Sequence, residues 1–173
     1  AICNKYAIQL SHDAVQQSAT LLKNIKQTLP LQKDQVGTVA VIGPNANLSK
    51  SDAGYYGPKH PCSRFFTLVD AVSNGGQVKT ESLAGVPSVL SEDQSGIDAA
   101  VEMAKRVDTV LLAVGTDLSW AAEGHDAKNI SFTTAQSVLI QRVAAAAKKP
   151  VVVVTLTAVP LDISEVLANP KVG

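Results

Sequence analysis

An excess of charge of either sign is the first thing this sequence lacks. Fifteen Lys plus Arg balance fifteen Asp plus Glu over 173 residues. Nothing therefore drives association with a phosphate backbone or an anionic membrane surface, and neither nucleic acid nor membrane is expected as a partner. Cysteine is scarce as well. Cys3 and Cys62 are the only two, too few for a disulfide-stapled miniature fold or a cysteine-rich zinc site, and they read as a disulfide pair or as inert thiols. Aromatics make up 4%, which disfavours an aromatic-lined barrel or a carbohydrate-binding sandwich. The longest apolar candidate, 143–159, is split by Lys148 and Lys149, so it falls short of the roughly 20 residues a spanning helix needs. The opening AICNKYAIQLSHD has no cationic segment leading into an apolar stretch and does not read as a signal peptide.

Several catalytic signatures are missing too. Gly43-Pro44-Asn45 follows a strand-like run, yet it is neither a Gly-x-Gly-x-x-Gly fingerprint nor a P-loop. Pro44 also removes an amide that a phosphate cradle would use. The segment reads as a tight turn, with substrate lining as the other reading, and no nucleotide cofactor is expected. No Gly-x-Ser-x-Gly elbow follows any strand. His125 has no partner His three or four residues away, so no metal site is expected.

What the chain does have is 46% apolar residues, much of it Ala and Val, which suits close-packed helices against a Val-rich buried sheet. An apolar stripe (Ala14, Val15, Ser18, Leu21, Leu22) predicts a helix over 11–24, stopped by Leu29-Pro30-Leu31. Val39–Ile42, 77–83, 109–114 and 151–156 read as strands. Helices are predicted at 67–72, from a Ser95/Asp98 capping box to Val107, over 133–147, and at 164–167. Between them, 53–61 reads as a Gly-, Pro- and Tyr-rich loop. Strands alternating with amphipathic helices imply parallel pairing. The expected fold is a single α/β domain, a three-layer α/β/α sandwich around a mostly parallel doubly wound sheet, with its ligand crevice beyond the C-terminal strand ends.

The loops after Ile42 and Val114 both open on that side. The longer one, 117–131, carries Asp117, Glu123, His125 and Asp126, which gathers carboxylates and an imidazole near one crevice, as proton transfer requires. A Glu against apolar surface makes an acid near neutral pH, whereas an Asp accepting hydrogen bonds stays ionised. The plainer reading is a solvated acidic loop. Trp120, the only tryptophan, either supports a sugar ring with its flat face or packs against the domain. Two sequons, Asn47-Leu48-Ser49 and Asn129-Ile130-Ser131, fit a secreted glycoprotein.

In order along the chain, Leu21-Leu22-Lys23-Asn24 with Leu29-Pro30-Leu31, 39–46 (VAVIGPNA), Tyr55-Tyr56-Gly57 with Pro61-Cys62, 104–115, and 150–156 with Pro160-Leu161-Asp162-Ile163-Ser164 resemble the second domain of glycoside hydrolase family 3. The likeness is strongest to its β-xylosidase and α-L-arabinofuranosidase members. The resemblance implies a retaining β-glycosidase acting on β-linked xylosides, arabinosides or cell-wall oligosaccharides. An Asp on an N-terminal (β/α)8 barrel would be the nucleophile, and a Glu from this domain the acid/base. Retaining chemistry sets those carboxyls about 5–5.5 Å apart, so two domains must close around the sugar.

The family's loop pattern G-x-D-x-S/T-x-E-x-E-x-x-D-R aligns with Gly115, Asp117, Ser119, Glu123 and Asp126, but Ala121 and Ala127 stand where it has Glu and Arg. Glu123 is thereby the acid/base candidate, with Asp117, Trp120, His125 and Asp126 on the substrate side. The resemblance also implies a barrel ahead of this domain and a further strand after it. A barrel needs about 250 residues, so this chain by itself is expected to lack efficient hydrolysis. The rival expectation is a non-catalytic carbohydrate-binding or defence protein.

Overall fold

The computed structural model describes residues 3–49, 62, 66–75 and 77–173. The loop carrying Tyr55, Tyr56 and Pro61 lies outside them. Among the described residues four parallel strands form one sheet, β1 (Val39–Ile42), β2 (Thr80–Leu83), β3 (Thr109–Gly115) and β4 (Val152–Leu156), in the spatial order β2-β1-β3-β4. The chain steps outward from β1 to β2, then returns to the far side of β1 for β3 and β4. The reversal puts a topological switch point between the C-terminal ends of β1 and β3, where open α/β sheets form their ligand crevice.

Alternation along the strands divides the core between two faces. Ala40, Ile42, Val110, Leu112 and Val114 pack against α3 (Ile97–Arg106), α4 (Thr134–Ala146) and Val166 of α5 (Ser164–Ala168). Val39, Val41, Leu111 and Ala113 face the other way, toward Val36, Ala46 and the short α2 (Leu68–Asp70). These helices and the sheet are the three layers that strand and helix alternation predicts. Ile97, Ala100, Val101 and Ala104 form the buried stripe of α3, matching their spacing.

Two local expectations are corrected. The first helix, α1, spans Lys5–Ser18 and buries none of its residues, rather than running over 11–24. Ala19 is extended, and residues 19–23 line one cleft with Val152, Val153 and Val154 of β4. There Lys23 Nζ donates to the carbonyls of Leu167 (2.7 Å) and Asn169 (2.7 Å) at the end of α5, and Asn24 brackets both backbone groups of Leu29. A cation on the last carbonyls of a helix is a favourable cap. The predicted capping box also fails. Gly96 is the N-cap of α3 without a side-chain bond, and the Ser95 amide instead donates to Asp93 Oδ1 (2.8 Å). That bond holds the Asp93 carboxyl below its ordinary range.

Cys3 and Cys62 are joined in a disulfide, with Cα atoms 5.3 Å apart across a sequence separation of 59. Among the described residues no helix is long and apolar enough to cross a membrane.

Candidate functional site

Gly43 and Gly115 end β1 and β3 with the same backbone angle, φ +136°. A Cβ at Gly43 would strike the Ala113 carbonyl and one at Gly115 the Leu156 carbonyl, so only glycine lets each strand turn away flush against its neighbour. The chain leaving β1 donates from Asn45 N to Ala113 O (3.2 Å), and the chain leaving β3 donates from Thr116 N to Leu156 O (2.9 Å).

Buried polar side chains hold these turns. Asn45, 1% exposed, donates through Nδ2 to Thr116 O (3.0 Å) and ties the two strand ends together at the switch point. Its Oδ1 is buried, with no hydrogen-bond partner among the described residues. Gln136 of α4, 0% exposed, accepts from Gly115 N (3.0 Å) and donates to Gly115 O (3.1 Å) and Val89 O (2.9 Å). Glu92 caps the start of α4, its carboxylate accepting from Thr134 N (3.2 Å) and Ala135 N (3.0 Å). An anion at a helix N-terminus is favourable. The root of the 117–131 loop is thus fixed from β1, from α4 and through the segment that carries Val89.

The loop itself folds tightly. Asp117 Oδ1 accepts from Ser119 N (2.8 Å) and Ser119 Oγ (2.5 Å), and the Asp117 carbonyl accepts from Trp120 N (3.0 Å) and Ala121 N (3.3 Å). Next comes a two-residue hairpin, in which Ala122 and His125 exchange both backbone bonds at 2.9 Å. Gly124 has φ +71° and Glu123 a negative φ, the pattern of a type II turn with Gly at its third position. Glu123 therefore sits at the exposed tip of this turn.

The five candidate residues are not gathered in one pocket. Asp117, half-buried, lines a cleft of ≈ 320 Å³ with Leu48, Thr116, Ala121, Leu156 and Thr157 at the C-terminal strand ends. Trp120 and His125 line a second, ≈ 350 Å³, with Glu92, Lys128, Asn129 and Phe132. Trp120 is only 6% exposed, so its indole is largely packed into the domain. Glu123 and Asp126 are exposed and line neither cleft. Among the described residues no three His, Cys, Asp or Glu side chains come close enough to hold a metal ion.

Asn45, Gln136 and Glu92 were not marked as site residues by the sequence. Asn45 read as part of a turn. The available signal for Gln136 is its place on the same helical face as Leu139, Ile140 and Val143, where a polar residue needs buried partners. Glu92 offers no signal, because its target amides lie 42 and 43 residues away.

A parallel sheet with a switch point between β1 and β3, and buried amide side chains bracing the loops that leave it, defines a doubly wound α/β sandwich domain. The chain belongs to the glycosyl hydrolase family 3 C-terminal domain family, whose profile matches residues 19–173. It is 39% identical over 174 residues to "Probable beta-D-xylosidase 7" of Arabidopsis thaliana, covering 99% of this chain and 22% of that protein. It is 32% identical to "Beta-xylosidase/alpha-L-arabinofuranosidase 2" of Medicago sativa subsp. varia, covering 99% and 21%. Among solved structures it superposes on a family 3 exo-β-xylosidase (XlnD) in complex with a xylobiose aziridine activity-based probe, with TM-score 0.85, 30% identity, and 96% of this chain and 21% of that chain covered. It shares its fold with a β-glucosidase from Listeria innocua at TM-score 0.78 and 23% identity, covering 94% of this chain and 22% of that one. The chain thus spans about a fifth of the length of these relatives.

Proposed function

We propose that this domain supplies the acid/base side of a retaining β-glycosidase active site that cleaves β-linked xylosides or arabinosides of cell-wall oligosaccharides. The nucleophilic carboxylate would come from a (β/α)8 barrel of the same polypeptide. Glu123 protonates the leaving glycosidic oxygen as the nucleophile attacks, then takes a proton from the water that releases the sugar. The observation that carries this reading is the position of Glu123. An acid that must reach a sugar held by a facing domain has to stand proud of its own domain, and Glu123 occupies the exposed tip of the Ala122–His125 turn. Asp117, with Oδ1 committed to Ser119, offers its other oxygen to sugar hydroxyls. His125 and Asp126, beside the turn, and Trp120, along the second cleft, complete the substrate side. The names of the relatives, xylosidases and xylosidase/arabinofuranosidases, support the substrate class.

In the full-length polypeptide, Glu123→Gln is expected to lower hydrolysis of an unactivated β-xyloside by about 10²–10⁴-fold, the ordinary contribution of general acid–base catalysis. Full activity in that variant would overturn the assignment. A second reading, a non-catalytic carbohydrate-binding or defence protein, draws on Ala121, which lines the Asp117 cleft where the family pattern has Glu. It predicts saturable xylo-oligosaccharide binding without turnover.

We also propose secretion. The Cys3–Cys62 disulfide suits an oxidising compartment, and Asn47 and Asn129 of the two sequons are both exposed. Material from a secretory host should lose mass on N-glycosidase treatment, and Asn47→Gln with Asn129→Gln should abolish that loss. An unchanged mass would refute occupancy.

A further inference from the structure

Two uncharged amide side chains grip the point from which the Glu123 loop leaves the sheet, and one of them reaches it from a different strand. Asn45 belongs to the turn after β1, where its own backbone is fixed. Its amide donates to Ala113 O (3.2 Å) and its carbonyl accepts from Leu48 N (3.1 Å). From that base Nδ2 crosses the switch point to Thr116 O (3.0 Å), 71 residues away in sequence. Gln136 holds the preceding residue, Gly115, through both of its backbone groups. Asn45 is almost fully buried, and a polar group at that depth is costly unless it is hydrogen-bonded. An apolar side chain of similar size would fill the space equally well. It could not hold the Thr116 carbonyl.

That carbonyl belongs to the peptide leading into Asp117, and from there a succession of bonds runs outward to Glu123. Thr116 N is held by Leu156 O. Asp117 gathers the amides of Ser119, Trp120 and Ala121, and the Trp120 side chain is buried against the domain. Ala122 and His125 then exchange both backbone bonds, with Glu123 between them at the exposed tip. A loop tied at so many points moves as a unit, so the placement of its tip follows from the placement of its root.

We infer that Asn45 is a positioning residue for the Glu123 carboxyl. By fixing the peptide between Thr116 and Asp117 it presents the loop tip in one place and at one angle, with Gln136 holding Gly115 behind it. This rests on the reading in which Glu123 is the acid/base. Buried as it is, Asn45 acts through the loop and makes no contact with substrate. Proton transfer needs donor and acceptor within about 2.6–3.2 Å, and a misplacement of about 1 Å can cost roughly 100-fold in rate.

The test uses the full-length polypeptide that carries this domain and two aryl β-xylosides, one with a good leaving group and one with a poor one. Asn45→Ala should lower kcat/KM for the poor leaving group at least about 10-fold more than for the good one. Ser119→Ala, at an exposed loop position that donates to Asp117, should shift that ratio in the same direction by about threefold. Val101→Ala, a truncation in the core face of α3, should leave the ratio unchanged, which separates placement of the acid from general loosening. An unchanged ratio in folded Asn45→Ala overturns the proposal, and so does an unchanged ratio in Ser119→Ala where Asn45→Ala fails to fold. Amide hydrogen exchange at Trp120, Ala122 and His125 tests the clamp apart from the chemistry, and Asn45→Ala should speed it at least about fivefold relative to the amides of α3. Glu123→Gln, run beside these variants, should show the loss specific to the poor leaving group. If it does not, the acid/base reading falls and exchange alone decides the clamp. Faster exchange then upholds the positioning of the loop by Asn45, and unchanged exchange overturns it.

Discussion

Gln136 satisfies three backbone groups with one fully buried side chain, among them both the N–H and C=O of Gly115, the residue from which the Glu123 loop departs. Replacing it with Leu keeps the volume in the core but removes the Gln136 bonds to the Gly115 amide and carbonyl and leaves Val89 O with only the longer bond from Thr133 Oγ1 (3.4 Å). Unsatisfied buried groups cost about 1–3 kcal/mol each when they cannot rehydrate. Urea unfolding should therefore show Gln136→Leu to be destabilised by about 2–4 kcal/mol. The exposed Gln141 on the same helix serves as the control, with Gln141→Ala changing stability by no more than about 0.5 kcal/mol.

Among elements, the N-terminal ends of β1 and β3 are joined by a carboxylate. Asp108 Oδ2 accepts from Thr38 N at 2.8 Å, and that backbone bond, which outweighs the opposing desolvation and is aided by Lys148 and Lys149, holds its carboxyl below the ordinary range. Asp162 is lowered in the same direction by the hydroxyl and amide of Ser164 at the start of α5. A carboxyl with a depressed folded-state pKa contributes stability that is complete above its unfolded value, about 3.9, and is lost as pH falls through the folded value. Thermal midpoints should accordingly drop as pH is lowered below about 4. Asp108→Asn should flatten that drop while lowering the midpoint at pH 7.

β1, β3, β4 and α3 were legible in sequence because each carries its own signal, a β-branched run or a stripe that its neighbours do bury, whereas β2 (Thr80–Leu83) carries a weaker one and is shorter than the 77–83 expected. The first helix was not. Periodicity marks an apolar stripe without saying whether a partner is present, and the segment after Ser18 is held by Lys23 bonds that reach 144 and 146 residues along the chain, which local spacing does not reveal. At the candidate site, Glu123 and Asp117 are marked as candidates by local spacing within one loop, and the acid/base role of Glu123 by the family's loop pattern. Asn45 and Gln136 were missed, because their roles depend on acceptors and donors 71 and 21 to 47 residues distant.

For the whole molecule, the disulfide and the proposed two-body active site set the terms. Cys3–Cys62 closes a loop spanning 59 residues, and Cys3→Ser should lower the unfolding free energy by about 2–4 kcal/mol, read from denaturant midpoints with and without reductant. Reductant should lower the unaltered chain's midpoint toward that of the variant and leave the variant itself unmoved. The central claim is that this domain contributes a proton donor to chemistry whose nucleophile stands on another body. Its most direct measurement uses the full-length polypeptide with Glu123→Ala and two aryl β-xylosides, one with a good leaving group and one with a poor one. If Glu123 is the acid/base, the poor leaving group should suffer a much larger fall in the rate of glycosyl-enzyme formation, because only it needs protonation. Added azide, which needs no general base, should restore turnover of the good one and yield a β-xylosyl azide. Equal losses for both substrates with no azide adduct would contradict the account.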